Sequence, residues 1–299
     1  MIGAGVIGSL FAGHLSQVCD VSVLTRRREH ADALNRDGLR ISGKSDILAR
    51  VTASADPDEL EDFDVGIVAT KAAGLGPAAN ALEGRFDQAT MTTVLNGLGA
   101  EEIVRQHGAW PIVSGVTFMS GTRHSDTHVE YILDTETWLG PYESTPFERV
   151  QEIADTIAAS GLEVEALPDL RPAQWSKLIF NASVNPVAAL TGLPHDPHFA
   201  DEGEPTDLGH VVHGLVDEGK VVARAAGVEL HDDPWEMNVL ATKRGSAHYP
   251  SMLEDVDAHR ETEIELITGS LVREAERHGV EVPLHRMLYA LVKGKEESW

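Results

Sequence analysis

Short apolar runs alternate with stretches of helical period along the first half of the chain. Val21-Ser22-Val23-Leu24, Val65-Gly66-Ile67-Val68-Ala69, Thr93-Val94-Leu95 and Pro111-Ile112-Val113 read as buried strands. Ser9–Val18 and Glu29–Asp37 read as helices between them. Such alternation predicts an open parallel sheet with helices on both faces, an α/β domain. Val129–Leu133 and Glu136–Leu139 switch to period two, which predicts an antiparallel hairpin at the sheet edge. Phe147–Ser160 reads as a helix and Leu162–Ala166 as a last strand. The pattern changes at Pro168. Arg171–Thr191, Thr206–Ala226, Pro234–Arg244, a stretch from Met252 through Glu261 to Gly279, and Leu284–Gly294 all read as amphipathic helices. Asp196–Pro205, rich in Asp, Glu, Pro and Gly, reads as a loop. The expected organisation is an α/β domain over 1–167 and an all-helical domain over 168–299, without internal repeats.

Gly3-Ala4-Gly5-Val6-Ile7-Gly8 opens the first helical stretch. In a dinucleotide-binding turn Gly3 permits the tight bend, Gly5 lets a pyrophosphate approach the backbone, and Gly8 lets the helix pack closely on the sheet. The helix start at Val6, Ile7 and Gly8 offers free N–H groups and partial positive charge to phosphate. A glycine-rich turn in some other α/β protein is the plainer explanation. The βαβ context favours the nucleotide, and makes the first domain Rossmann-type. The strand that should precede the motif is nearly absent. Either the start lies too late, or Met1-Ile2 alone represent it, and a missing central strand would cost its neighbours their ladder partners.

The end of the next strand chooses between cofactors. An enzyme using NAD places Asp or Glu there for the ribose hydroxyls. Here Leu24-Thr25-Arg26-Arg27-Arg28 carries no acid. Arg26 can fork onto a 2′-phosphate, its neighbours add positive charge, and the expectation is NADPH. The competing explanation is a solvated helix start. The run stands out because the chain has 24 Lys+Arg against 48 Asp+Glu, a formal charge of −24. That field repels nucleic acid, which is not an expected partner, and requires any anion site to be locally basic.

In the helical half, Lys177, Asn181 and Asn185 recur at i, i+4 and i+8 among Leu178, Ile179, Phe180 and Val184. They form either a surface for an anionic or carbonyl-bearing ligand or a snorkelling lysine with two asparagines at a helix end. Further on, Ser251 with Glu254 has the spacing of a capping box, and Glu263 would lie three helical turns later. In isolation Glu263 is a solvated charge as readily as a functional group.

Taken together, the glycine motif, Lys71 after a strand, Asn96-Gly97-Leu98-Gly99, Lys177…Asn181…Asn185-Pro186 and Ser251-Met252…Asp255…Thr262-Glu263-Ile264-Glu265 resemble the ketopantoate reductases, over essentially the whole chain. The resemblance implies NADPH bound by a Rossmann-type domain and closed over by a helical one. The expected reaction is reduction of the ketone of 2-dehydropantoate to (R)-pantoate, on the route to pantothenate and coenzyme A. It implies Lys177 as general acid on the ketone oxygen, and Glu263 on the substrate's terminal hydroxyl, helping to hold Lys177. Asn96, Asn181, Asn185 and Ser251 would position the carboxylate and hydroxyls. Lys71 and Asn96 would lie beside the nicotinamide or ribose, and Arg26 on the 2′-phosphate. The chain departs from the usual Ser-Ser-Met in having Pro250 before Ser251, and has Glu254 where Gln is common. Pro250 removes a backbone N–H. Two other readings compete: a reductase of another branched 2-oxo acid, and a non-catalytic NADP(H) sensor, which would have no need of a general acid in its second domain.

Cys19 is the one cysteine, which excludes an internal disulfide framework and fits a reducing compartment. The opening Met1-Ile2-Gly3 lacks a basic region, and no apolar run reaches bilayer length. A cytoplasmic protein without a membrane partner is expected. No His/Cys/Asp cluster has metal-ligand spacing, so no metal is expected. The C-terminal helices suit a homodimer face as well as an internal core. Of the 24 basic residues only Lys44, Lys71, Lys177, Lys220, Lys243, Lys293 and Lys295 are lysines. Excess acid with few lysines is consistent with adaptation to concentrated salt, which screens self-repulsion. If so, the melting temperature rises steadily into molar KCl; no gain at molar salt removes the idea.

Overall fold

The computed structural model describes residues 1–200, 206–243 and 249–299. These form two compact units: Met1–Leu95 with Ala100–Leu170, and Asn96–Gly99 with Arg171–Trp299. The division thus falls three residues beyond the expected one, and the short Asn96–Gly99 loop groups with the second unit.

The first unit contains α1 (Val6–Leu15), β1 (Ser22–Leu24), α2 (Arg28–Asp37), β2 (Leu39–Gly43), β3 (Ile47–Ala49), β4 (Thr52–Ser54), β5 (Val65–Val68) and α3 (Ala72–Ala81). It continues with β6 (Thr90–Thr93), α4 (Ala100–Arg105), β7 (Ile112–Thr117), β8 (Ser120–Ser125), β9 (His128–Leu133), β10 (Thr137–Tyr142), α5 (Phe147–Ala159) and β11 (Val164–Ala166). One part of its main sheet pairs β1 with β4; the other runs β11-β10-β7-β6-β5. Met1 and Ile2 join the two. Leu24 N donates to Met1 O (2.8 Å), Gly3 N to Leu24 O (2.9 Å), Ile2 N to Ile67 O (2.8 Å) and Ala69 N to Ile2 O (2.9 Å). Two residues thus fill the central strand position and satisfy both neighbours' ladders. Pairing is parallel as far as β7, to which β10 runs antiparallel.

A second, four-stranded sheet of order β3-β2-β9-β8 was not foreseen. It packs on α1, where a Cβ on Gly13 would lie 2.6 Å from Ile41. Every α1 residue from Gly8 to Leu15 is consequently buried. This sheet corrects the expected edge hairpin. Val129–Leu133 falls in β9, which pairs with β8 and β2, whereas Glu136–Leu139 leads into β10 of the main sheet. Period two identifies a strand but not its partner. The expected strand at Thr93-Val94-Leu95 is also displaced. The observed β6 is Thr90-Met91-Thr92-Thr93, buried throughout, whose β-branched threonines conceal a central strand from an apolar count.

In the second unit α6 (Arg171–Thr191) is central. α7 (Asp207–Ala225), α8 (Pro234–Lys243), α9 (Ser251–Asp257), α10 (Thr268–Arg277) and α11 (Pro283–Glu296) all pack against it. Its core joins Trp175, Leu178, Ile179 and Ala182 to Val216, Met252, Ile264, Ile267 and Val292. Arg244 and residues 201–205, at the ends of a predicted helix and loop, lie outside the described residues.

The expected continuous helix from Met252 to Gly279 is broken. After Asp257 the chain turns at His259, with φ +48, and Arg260 N donates to Asp255 O at 2.8 Å. Arg260 also reaches the carboxylate of Asp255, which is 2% exposed. The ion pair and the backbone hydrogen bond together close the helix end. The expected capping box is absent too: Pro250 occupies the N-cap without a side-chain hydrogen bond, and Glu254 faces Arg260 at 3.7 Å.

The glycine turn is the tightest point of the first unit. Gly3 has φ +93, and a Cβ on Gly8 would lie 2.1 Å from Gly3 O. Gly8→Ala is expected to cost about 1–3 kcal/mol by overpacking, measured as a lowered urea midpoint at unchanged slope.

Candidate functional site

In the first unit the glycine loop leads from Ile2 into α1, against Ala69 and Thr70 at the end of β5. Gly3 and Gly8 are packed tightly, whereas a Cβ on Gly5 would meet nothing within 4 Å. The backbone is thus open at the glycine where a phosphate needs to approach. Gly5 is the N-cap of α1 without a side-chain cap, and part-exposed Val6 and Ile7 begin the helix. The first-turn N–H groups of a helix have no intrahelical acceptor, and here no side chain takes them. Thr70 adds an orphan: its hydroxyl is shut off from solvent and has no hydrogen-bond partner among the described residues. Its methyl lies 3.0 Å from the Cβ position of Gly3. This donor set fits the phosphates of a dinucleotide. Sequence reasoning missed Thr70, because a lone threonine after a strand carries no signal. Lys71 follows it as the exposed N-cap residue of α3.

The three arginines after β1 have different surroundings. Arg27 donates to both carboxylate oxygens of Asp126 at 2.7 Å, fixing the turn between β8 and β9. Arg28 lies 3.7 Å from Glu59. Arg26 is exposed and makes no ion pair or hydrogen bond among the described residues. A free guanidinium at this strand end can accept a phosphate without first breaking an ion pair.

In the second unit α6 carries Lys177, Asn181 and Asn185 along one row. Lys177 is half-buried. Burial lowers its amine to about 8, against the pull of the Glu263 carboxylate, which raises it. Glu263, 6% exposed, lies in the irregular segment between α9 and α10, not on a helix. Its Oε2 accepts from Asn96 Nδ2 at 3.0 Å. The loop carrying Asn96 is bound to the same segment, with Leu98 N donating to Leu266 O at 2.9 Å. Gly97, with φ +93, crosses it so closely that a Cβ would stand 1.7 Å from Leu266 O. Asn181 and Asn185 are each 7% exposed, yet neither side chain has a hydrogen-bond partner among the described residues. Both amides can therefore pair with a ligand's polar atoms without first giving up a protein hydrogen bond. Pro186 lacks the N–H that Ala182 O would otherwise receive inside α6. Ser251, part-buried, is the first residue of α9, and its hydroxyl is not spent on a cap. Lys177, Glu263 and Asn96 are thus brought into one polar cluster, and the two asparagines extend the row along α6. Among the described residues no group of three or more His, Cys, Asp or Glu could hold a metal ion, and no helix is long and apolar enough to cross a membrane.

Comparison with known proteins points the same way. The family described as Ketopantoate reductase PanE/ApbA matches residues 1–144, and Ketopantoate reductase PanE/ApbA C terminal matches residues 169–296. A 2-dehydropantoate 2-reductase of Pyrococcus horikoshii is 29% identical, over 99% of this chain and 96% of its own length. One of Halobacterium salinarum is 30% identical, over 97% and 96%. The crystal structure of a PanE/ApbA family ketopantoate reductase from Ralstonia eutropha JMP134 superimposes with a TM-score of 0.88 at 27% identity, covering 99% of this chain and 98% of that one. With both halves matched and a 30%-identical relative aligned along nearly its whole length, the chain belongs to the ketopantoate reductase family.

Proposed function

We propose that the chain is an NADPH-dependent 2-dehydropantoate 2-reductase, producing (R)-pantoate, with Lys177 as general acid. The observation that carries this reading is the Lys177 amine, lowered to about 8 by burial against the pull of Glu263 and set beside two buried, unpartnered asparagines. NADPH, when bound, supplies the hydride. As the ketone carbon accepts it, the carbon–oxygen π pair moves to oxygen, which takes a proton from Lys177 Nζ. A cation aimed at that oxygen is worth more in the transition state than before it, because the charge develops there. An amine near 8 remains mostly protonated at neutral pH while being a stronger acid than an ordinary lysine. Asn181, Asn185 and Ser251 hold the substrate carboxylate and hydroxyls. Glu263 accepts from the terminal hydroxyl and keeps Lys177 charged. The Gly3-to-Gly8 loop, with Val6 and Ile7 at the helix start, takes the pyrophosphate. Lys71 and Asn96 would serve the nicotinamide or the ribose, and Arg26 would take the 2′-phosphate. Beyond this charge placement, the reduction of an oxo acid asks the protein for alignment and the exclusion of water.

Lys177→Ala is expected to lower kcat by about 10²- to 10⁴-fold, with NADPH affinity, measured by fluorescence titration, nearly unchanged. In the parent enzyme kcat/KM is expected to fall as pH rises through about 8, because deprotonation removes the acid from the free enzyme. Near-normal turnover in the variant would overturn the assignment. A screen of branched 2-oxo acids with NADPH checks the substrate: a better one than 2-dehydropantoate transfers the mechanism to another acid. Arg26→Ala is expected to weaken NADPH about 10- to 100-fold, the loss of hydrogen bonds to a charged group worth roughly 1.5–3 kcal/mol, with little change for NADH. Equal losses for both nucleotides would count against a 2′-phosphate contact.

A further inference from the structure

The segment that carries Glu263 has no helix to hold it, and the structure braces it from α11. Glu296 Oε1 accepts from Thr262 N at 2.8 Å and from Thr262 Oγ1 at 2.7 Å. The Glu296 side chain is 9% exposed, and Lys293 Nζ lies 3.0 Å from its other oxygen. Thr262 Oγ1 in turn accepts from Ile264 N at 3.2 Å, spanning Glu263. On the far side Glu265 Oε1 accepts from Tyr289 OH at 2.7 Å and lies 3.5 Å from Lys293 Nζ. Thr262 immediately before Glu263 and Glu265 two residues after it are therefore fastened to α11, while Glu263 itself reaches Asn96. Burial works to raise the Glu296 carboxyl, yet hydrogen bonds from Thr262 and Lys293 hold it below its ordinary value. It therefore acts as a charged acceptor through the neutral range.

We propose that Glu296 is a positioning residue for the reduction: by gripping Thr262 it fixes the Glu263 carboxylate, and so sets the acid strength of Lys177. The proposal rests on the reading of Lys177 as general acid. Glu263 is the charged group acting on the Lys177 amine. Lys293 faces Glu296 and Glu265 from α11, and Arg273 of α10 lies 3.6 Å from Glu265. None of these last groups touches the reacting atoms. If the grip is released, Glu263 samples positions farther from the amine. Its attraction then weakens, and burial, which lowers the amine, goes less opposed. The alkaline limb of kcat/KM, which reports the free enzyme, must move to lower pH. A purely structural contact between α11 and the segment would lower the melting temperature and leave that limb in place.

The test compares Glu296→Ala and Glu296→Gln in the full-length enzyme, with NADPH and 2-dehydropantoate. Glu296→Ala is expected to lower kcat about ten- to a hundredfold, as misplacement of a catalytic constellation does, with the limb displaced below that of the parent and NADPH affinity unchanged. Glu296→Gln keeps an oxygen that accepts from Thr262, so it is expected to restore most of kcat and return the limb toward the parent's position. A parental limb and kcat in Glu296→Ala overturn the proposal, whatever happens to its melting temperature. Should Glu296→Ala not fold, Glu296→Leu removes both contacts to Thr262 while filling the space, and an unshifted limb there overturns it equally. Lys177→Ala run alongside separates the two levels: if it stays active, the general-acid reading fails. If it is inactive while Glu296→Ala matches the parent, only the role of Glu296 fails.

Discussion

A cation half withdrawn from water beside a carboxylate is the constraint on which the helical unit depends. Burial disfavours the charged amine of Lys177, and Glu263 favours it. The balance is sensitive because each term grows as solvent is excluded. Neither residue can be placed approximately. α6 holds the amine by being buried along most of its length, with Leu178, Ile179 and Ala182 locked in the core. The carboxylate has no such frame, and is held by a hydrogen bond from Asn96 and by the bracing of its neighbours. The rigid partner is built from apolar packing and the irregular one from polar contacts. Only the second can place a carboxylate where a helix would have turned it away.

The first unit solves a different problem, that of leaving donors unused. Loop glycines pack where tightness is wanted and stay open at Gly5, where an incoming group needs room. The three arginines show the same economy. Sequence makes them equivalent, but the bidentate contact to Asp126 removes Arg27, since forked hydrogen bonds to a carboxylate are strong and directional. Arg26 is then left with its charge available. What distinguishes it is a strand pair far along the chain, β8 and β9, whose turn supplies the aspartate.

Much of this was legible beforehand, and the failures have physical causes. The helix over 171–191 was readable to its ends because α6 is long and periodic. So was the row of Lys177, Asn181 and Asn185, since spacing on one helix is a local property. The glycine turn was readable for the same reason. Pairing between strands was not. β9 and β10 carry the same alternation, and only tertiary contacts send them to different sheets. β6 was hidden by threonines that count as polar but pack as β-branched residues. The break after Asp257 was concealed because the ion pair that makes it, Arg260 with buried Asp255, looks in sequence like ordinary surface charge. With the break went the true setting of Glu263. The grip of Glu296 on Thr262 spans residues far apart, and no periodicity announces it.

The acidity of the whole chain sharpens the meaning of these local contacts. A formal charge of −24 opposes an anionic cofactor and a 2-oxo acid at long range. At physiological ionic strength, however, charges act over a Debye length of about 8 Å, and beyond that the acidic surface is largely screened. Attraction must then come from cations within that distance, and what counts is whether each is already neutralised. Arg27 is clamped and Arg28 has Glu59 nearby, whereas Arg26 has neither. Lys177 shares its field with Glu263, half out of water, where screening is weakest. Adding further surface acid would therefore leave such a site almost untouched, while shifting one neighbouring carboxylate would alter it. That is why the short-range contacts of Glu263, Asp126 and Glu296 carry more of the functional reading than the total charge does.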